Sequence, residues 1–464
     1  MRYPKKKKVK RFCSPIDWAV TALAVLLLGG GVLGLIKVYF VDAGPGLNTL
    51  SRWERYCMSV VPVPDGETDR LEKRPVSLYG SVLTADGATL FDVLDQAVDE
   101  EAYGSLLGSI NDVDTEETRY LLPRYRDRLW ADVDYDPLAG IKSGAAEIQL
   151  TLNAKVQELV YDYMKESGVI GSVTCYDYRT GDVICLGSTP GWLQDGDGSF
   201  INRCLYNACP GSTQKLLAHF LLTKAGVPAD EPFNCTGSYT LRTGETIVCP
   251  SEHGPLDGRS EALGVSCNCY FARELESLDL NWVRETLKEI GVSVNGSDHS
   301  ASLGMLPVDT PSVALVGSTW TFSNIWNLVG QDASLQSPLW MAEFAADLLT
   351  GGQAVQPRIT TDEEPRKSEM GERYAAVFSE GYPVWKAAFD GFYSDSYGDM
   401  TCAKTGTADE LGPEKRTQKT LCLVSEDLGV SAFLVVENYD ECHVMPVDLA
   451  NELLAALKSS ETPE

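Results

Sequence analysis

The 464-residue chain reads as an α/β (α+β) protein: an antiparallel sheet flanked by helices on both faces, preceded by a membrane anchor and a small membrane-proximal domain. Three observations predict this. A strand, a helix and a hairpin follow one another from residue 146. Three strand-like runs (401–408, 420–424 and 430–437) and a closing helix end the chain. Between them lie segments with apolar residues at helical spacing.

From the N-terminus, residues 1–17 form a basic cytoplasmic tail with seven Lys/Arg against Asp17 alone. Residues 18–36 are uncharged and apolar, long enough to cross a bilayer as a helix, so 18–41 is assigned as a transmembrane anchor. The tail stays inside by the positive-inside rule, which places the rest outside the cell. A cleaved signal peptide is the competing reading, but the apolar stretch is long for one. Residues 42–145 read as a pedestal, with two short strands around Asp86-Gly87 in 77–90 and a helix over 94–107. Residues 146–458 form the main domain. There Asn153 caps a helix over 154–166, strands 173–178 and 182–187 form a hairpin with Gly181 at the turn, and helices cover 212–225, 338–349 and 446–457.

The net charge of −27 hides a split: beyond the tail stand 32 basic and 65 acidic residues. Phosphates are repelled by such a body, which excludes nucleic acid as a partner. Of thirteen cysteines, twelve follow the anchor. An oxidising compartment favours disulfides, and Cys235–Cys249 is the preferred pair. Cys175 and Cys185, opposite each other in the hairpin register, read as buried and reduced. No Cys/His spacing matches a zinc site.

Three short motifs carry the chemistry. Ser212-Thr-Gln-Lys215 is the one serine with a lysine three positions on, and Lys404-Thr-Gly406 occurs once. Ser-x-Asn occurs at Ser109, Ser266 and Ser293, and the surroundings of Ser266-Cys-Asn268 favour that copy. Positions i and i+3 share a helix face, so Lys215 can reach the Ser212 hydroxyl. Serine is a weak nucleophile until a base takes its proton. Lysine serves only when neutral, which burial and a second cation, Lys404, would promote. Ser266 and Asn268 would complete the proton path and hold a substrate amide. Lys404, Thr405 and Thr407 on a strand would face a carboxylate, and Gly406 would let another backbone approach closely. The four histidines, His219, His253, His299 and His443, come with no Gly-x-Ser-x-Gly elbow; His219 reads as a packing residue.

With these motifs in this order, residues 146–458 resemble the penicillin-binding proteins, specifically the monofunctional class B transpeptidases of the serine penicillin-recognising family. Further support comes from Gln149-Leu-Thr151, Tyr178-Arg-Thr-Gly-Asp182, Asn202-Arg203, Pro210-Gly-Ser-Thr213, His253-Gly254, Gly330-Gln331, Ser337-Pro-Leu339 and Met341-Ala342. Gly80 to Gly87 is similar to a membrane-proximal turn of the family. Two departures stand out: Ala403 replaces the usual glycine before Lys404, and Cys267, Cys269 and Cys402 crowd the cleft, raising redox sensitivity as an expectation.

The resemblance implies a β-lactamase/transpeptidase-like fold and peptidoglycan D,D-transpeptidase activity on stem peptides ending in D-Ala-D-Ala. It also implies acylation of Ser212 by β-lactams and a bacterial single-pass membrane location. Catalytic roles fall to Ser212, Lys215, Ser266, Asn268 and Lys404, and substrate binding to Thr405, Gly406 and Thr407, with the oxyanion held by the N–H groups of Ser212 and Thr407. No metal or cofactor is implied, and a membrane glycosyltransferase partner is expected by analogy. The alternatives on the same scaffold are a D,D-carboxypeptidase or β-lactamase, an antibiotic sensor, and a catalytically idle scaffold for a polymerase.

Overall fold

The computed structural model describes residues 80–92, 100–110, 112, 114–129, 133–136, 140–143, 147–191, 201–296, 301–393, 397–411 and 416–461. Among them no helix is long and apolar enough to cross a membrane; the expected span at 18–41 lies outside the described residues.

In the part that precedes residue 150, strands β1 (Ser81–Leu83) and β2 (Thr89–Asp92) pair antiparallel around the expected turn, where Gly87 takes φ +87°. Helix α1 (Glu100–Leu107) follows; the start of the expected helix, 94–99, lies outside the described residues. Strand β3 (Ile148–Gln149) adds parallel to β1. Asp86 joins this part to the next by accepting from the Ala154 backbone N–H at 2.9 Å.

Helix α2 (Ala154–Glu166) begins where Asn153 predicts, its side chain accepting from Val156 N. Strands β4 (Gly171–Asp177) and β5 (Val183–Thr189) form the hairpin, with Cys175 opposite Cys185 and Gly181 at φ +83°. Both thiols are free and buried, in line with the reduced reading. Strands β6 (Cys402–Leu411), β7 (Arg416–Ser425) and β8 (Val430–Val436) complete a five-stranded sheet in the order β6-β7-β8-β4-β5. Every neighbour pair in it is antiparallel.

Side-chain alternation gives this sheet two faces. Cys422 and Ser431 point to helix α6 (Pro338–Thr350), where their side chains bond the Met341 and Ala342 carbonyls. Gly187, opposite in parity, lies under Val160 and Met164 of α2, which packs beside the terminal helix α8 (Pro446–Glu461). Helices therefore cover both faces, as expected.

Two further segments build the cleft. Helix α3 (Lys215–Lys224) follows a 3₁₀ turn over Gly211–Gln214, where a single continuous helix was expected. Helices α4 (Arg259–Gly264) and α5 (Asn268–Glu276) flank the Ser-x-Asn motif. The sequence reading missed helix α7 (Glu369–Phe392), whose interior contains Gly371, Gly381 and Pro383 and bends at Tyr374. It packs against α3, α4, α6 and β6.

Candidate active site

The 3₁₀ turn explains the geometry of the first motif. With three residues per turn, positions i and i+3 eclipse, so Lys215 stands directly over Ser212. Its Nζ donates to Ser212 Oγ at 2.6 Å. Two glycines hold this turn against the sheet edge. Gly211 adopts φ +54°, and a Cβ there would fall 2.5 Å from the Thr407 backbone N. A Cβ on Gly406 would collide with the Pro210 carbonyl and Thr420 Oγ1. The close approach expected at Gly406 is thus already made by the chain's own Pro210–Thr213 backbone. Thr420 Oγ1 locks it by donating to Pro210 O at 2.6 Å.

Lys215 is wholly buried. Burial lowers its amine to a pKa of about 7, opposed by the nearby sulfurs of Cys249 and Cys267. Lys404 is 1% exposed and is pushed well below the ordinary lysine range, first by burial and then by the Lys215 charge. The mutual effect of the two cations is therefore secondary to desolvation.

Lys404 Nζ donates to Ser266 Oγ at 3.2 Å and to Thr405 O at 2.8 Å. This amine bridges the second and third motifs. A cation missed by the sequence reading stands further along: Lys419, directly opposite Thr407 in the β6–β7 register, donates to Thr407 Oγ1 at 3.0 Å. Period-two pairing was the available signal.

Ser266 takes φ +58°, a left-handed backbone that costs a non-glycine residue about 1–2 kcal/mol. Tyr393 Oη fixes the preceding helix end by donating to Gly264 O at 2.7 Å. Asn268 opens α5 and donates from Nδ2 to Val248 O at 3.0 Å, so part of its amide is engaged within the chain. Of the other Ser-x-Asn copies, Ser293 sits in a separate two-strand pairing and Asn295 bonds Leu315. Ser109 bonds through its backbone to Asp112, and Asn111 lies outside the described residues.

Strand β6 is the edge of the sheet. Gln331 Nε2 donates to Thr407 O at 2.9 Å. In an antiparallel strand a residue's N–H and C=O point the same way, so the Thr407 N–H also faces the open side, next to the Ser212 turn. Ala403, at the position before Lys404, has a carbonyl that accepts from buried Trp385 Nε1 at 3.2 Å.

One sequence expectation is corrected. Cys235 and Cys249 are separate thiols 3.8 Å apart, not a disulfide. Cys235, Cys249, His253 and Cys267 also come together, their ligand atoms all within 4.8 Å of one another, although their spacing matches no zinc pattern, because folding rather than local sequence collects them. Of the residues flagged for redox sensitivity, Cys267, Cys269 and Cys402 are all buried. His219 is buried as expected and lowered to about 3, by burial first and then the Arg259 charge.

This combination of sheet, nucleophile turn and lysine pair defines a serine acyl-transfer site of the transpeptidase class. The model of the penicillin-binding protein transpeptidase domain matches residues 171–425, more than half of the chain, and the chain belongs to that family. All three motifs lie inside the match. Solved structures with the same fold include penicillin-binding protein A from Mycobacterium tuberculosis, 16% identical with a TM-score of 0.65, covering 82% of this chain and 98% of that one. Its penicillin G acyl-enzyme complex is 18% identical with a TM-score of 0.66, over 82% and 99% of the two chains. The D,D-transpeptidase domain of a peptidoglycan glycosyltransferase from Eggerthella lenta is 17% identical with a TM-score of 0.61, over 82% and 99%.

Proposed function

We propose that the protein is a peptidoglycan D,D-transpeptidase that binds β-lactams at Ser212. The observation that carries this reading is the 2.6 Å contact from a fully buried Lys215 amine, lowered to about 7, to the Ser212 hydroxyl.

In the proposed reaction Lys215 takes the Ser212 proton as Oγ attacks the carbonyl of the penultimate D-alanine. The oxyanion is held by the backbone N–H groups of Ser212 and Thr407. As the tetrahedral intermediate collapses, the peptide C–N bond breaks and Ser266, hydrogen-bonded to Lys404, relays to the leaving D-alanine amine the proton that Lys215 took, which returns Lys215 to its neutral form. The amine of a second stem attacks the acyl-enzyme, loses a proton to the lysine–serine pair and releases Ser212. The donor stem lies along the open edge of β6 as an added strand. Asn268 positions its amide, while Thr405, Thr407 and Lys419 receive the terminal carboxylate, with Gly406 keeping the strand tight against the nucleophile turn. A β-lactam follows the first half-reaction, its ring amide opening onto Ser212, as in the imipenem and penicillin G acyl-enzymes of penicillin-binding protein A from M. tuberculosis.

The same reading makes 1–17 a cytoplasmic tail, 18–41 a single-pass anchor in a bacterial cell membrane, 42–145 a pedestal and 146–458 the external catalytic domain, working with a membrane glycosyltransferase. The test supplies lipid-linked pentapeptide and a partner polymerase to the full chain and analyses the muropeptides. Cross-linked dimers that vanish in Ser212→Ala are expected. Tetrapeptide monomers alone would replace transfer with carboxypeptidase activity, and untouched strands beside a stable polymerase complex would leave a scaffold.

A further inference from the structure

Beside the motif serines lies a second group of reactive side chains that the acyl transfer does not use. Cys235 ends the strand Phe233–Cys235, and Cys249 follows the strand Thr246–Val248. His253 precedes the strand Gly254–Leu256, whose Gly254 pairs with Cys235. Cys267 is the N-cap of α5. The ligating atoms of these four residues all lie within 4.8 Å of one another.

Three of the six separations match the edges of a site for one ion. A tetrahedral zinc with Zn–S of about 2.3 Å and Zn–N of about 2.0–2.1 Å has S···S edges of about 3.8 Å and S···N edges of about 3.6 Å. Cys235 to Cys249 is 3.8 Å, Cys249 to Cys267 is 3.7 Å, and Cys235 Sγ to His253 Nδ1 is 3.4 Å. Backbone donors already serve two of the sulfurs: Cys269 N–H donates to Cys249 Sγ at 3.4 Å and Tyr270 N–H to Cys267 Sγ at 3.3 Å. Such contacts stabilise thiolates and orient metal ligands.

We propose that Cys235, Cys249, Cys267 and His253 Nδ1 bind one structural Zn²⁺ ion. As the ion enters, the three thiols release three protons to solvent and imidazole binds neutral, leaving a net charge of −1 on the centre with no change of oxidation state. Four protein ligands close the site, which marks it as structural rather than catalytic. Its position gives it a further role. Cys267 stands between Ser266 and Asn268, so the ion ties the start of α5 to the ribbon that carries Val248, the partner of Asn268. It thereby holds Ser266 in its left-handed conformation beside Lys404.

The test measures metal in the full chain, purified in detergent without chelator, by mass spectrometry of the elements. About one zinc per chain is expected, and exchange with Co²⁺ gives sulfur-to-cobalt charge-transfer bands and strong tetrahedral d–d bands. In Cys249→Ser and His253→Ala zinc falls to about a tenth or less, while Cys269→Ser and Cys175→Ser retain it. The cobalt spectrum of the unmutated chain keeps the test valid where a ligand variant fails to fold. Stripping the zinc slows acylation by a fluorescent penicillin about tenfold or more, and added Zn²⁺ restores it. Metal-free protein with no cobalt–thiolate band, or a mapped Cys235–Cys249 disulfide, would overturn the site. Zinc kept in Cys267→Ser but lost in Cys269→Ser would overturn the ligand set. Acylation unchanged in zinc-free protein would remove the positioning role.

Discussion

Shifting the pH from 6 to 9 tests the proposed base without altering a single residue. Burial sets Lys215 at about 7, so about a tenth of it is neutral at pH 6, half at pH 7 and nine-tenths at pH 8, following the ordinary titration relation. A reaction that needs the neutral amine therefore speeds up about fivefold from pH 6 to 7, about twofold more by pH 8, and then levels. The sign follows from the direction of the shift: the proton leaves as pH rises, and only the deprotonated amine can accept one from Ser212. The assay is the second-order rate of acylation of the full chain by a fluorescent penicillin. Lys215→Ala keeps the nucleophile and loses the base, which lowers the plateau about 10²–10⁴-fold. A rate that is flat between pH 6 and 9, or that rises with a midpoint near 10, the value of an exposed lysine, would refute the buried-base account.

Gly406→Ala places a methyl group against the Pro210 carbonyl and Thr420 Oγ1. It should destabilise the protein by about 1–3 kcal/mol and slow acylation at least about tenfold; a variant that melts and acylates like the parent would show that the nucleophile turn is not held there. Asp347 is fully buried and raised to about 8, by burial first and then the Glu343 charge, while Ser368 Oγ donates to it at 2.5 Å. Between about pH 4 and 8 the folded state keeps a proton that the unfolded chain has lost, so stability falls as pH rises through that window. Asp347→Asn removes that dependence and should gain about 2 kcal/mol on the parent between pH 5 and 7, read from denaturant melts. Parallel pH profiles for the two proteins would contradict it.

Elements fixed by local signals were legible in the sequence. Asn153 marks the start of α2 because its side chain accepts the orphan N–H of Val156. The left-handed Gly181 sets the register that puts Cys175 opposite Cys185. The three motifs were legible because their chemistry depends on residue type and order, and the structure pairs Lys215 with Ser212 and Lys404 with Ser266, the Lys215 charge acting on Lys404. What escaped was decided by distant packing. Helix α7 contains three glycines and a proline, poor helix formers, yet it is held by burying Trp385 and Phe378. One helix was expected from Ser212 onward, but the close approach of β6 at Gly211 and Gly406 imposes a tighter turn on the first residues. The turn of Lys404 toward Ser266 and the placing of Lys419 at Thr407 depend on strand pairing across residues 402–425. The sulfur–histidine group needs segments from 233 to 267 folded together before any ligand spacing exists.

Benzylpenicillin added to the full chain, followed by proteolysis and mass mapping of the peptides, probes the lysine-activated serine most directly. The penicilloyl group should appear on the peptide containing Ser212 and be absent from Ser212→Ala. Folded protein that carries no adduct, or carries it on a different side chain, would contradict the account.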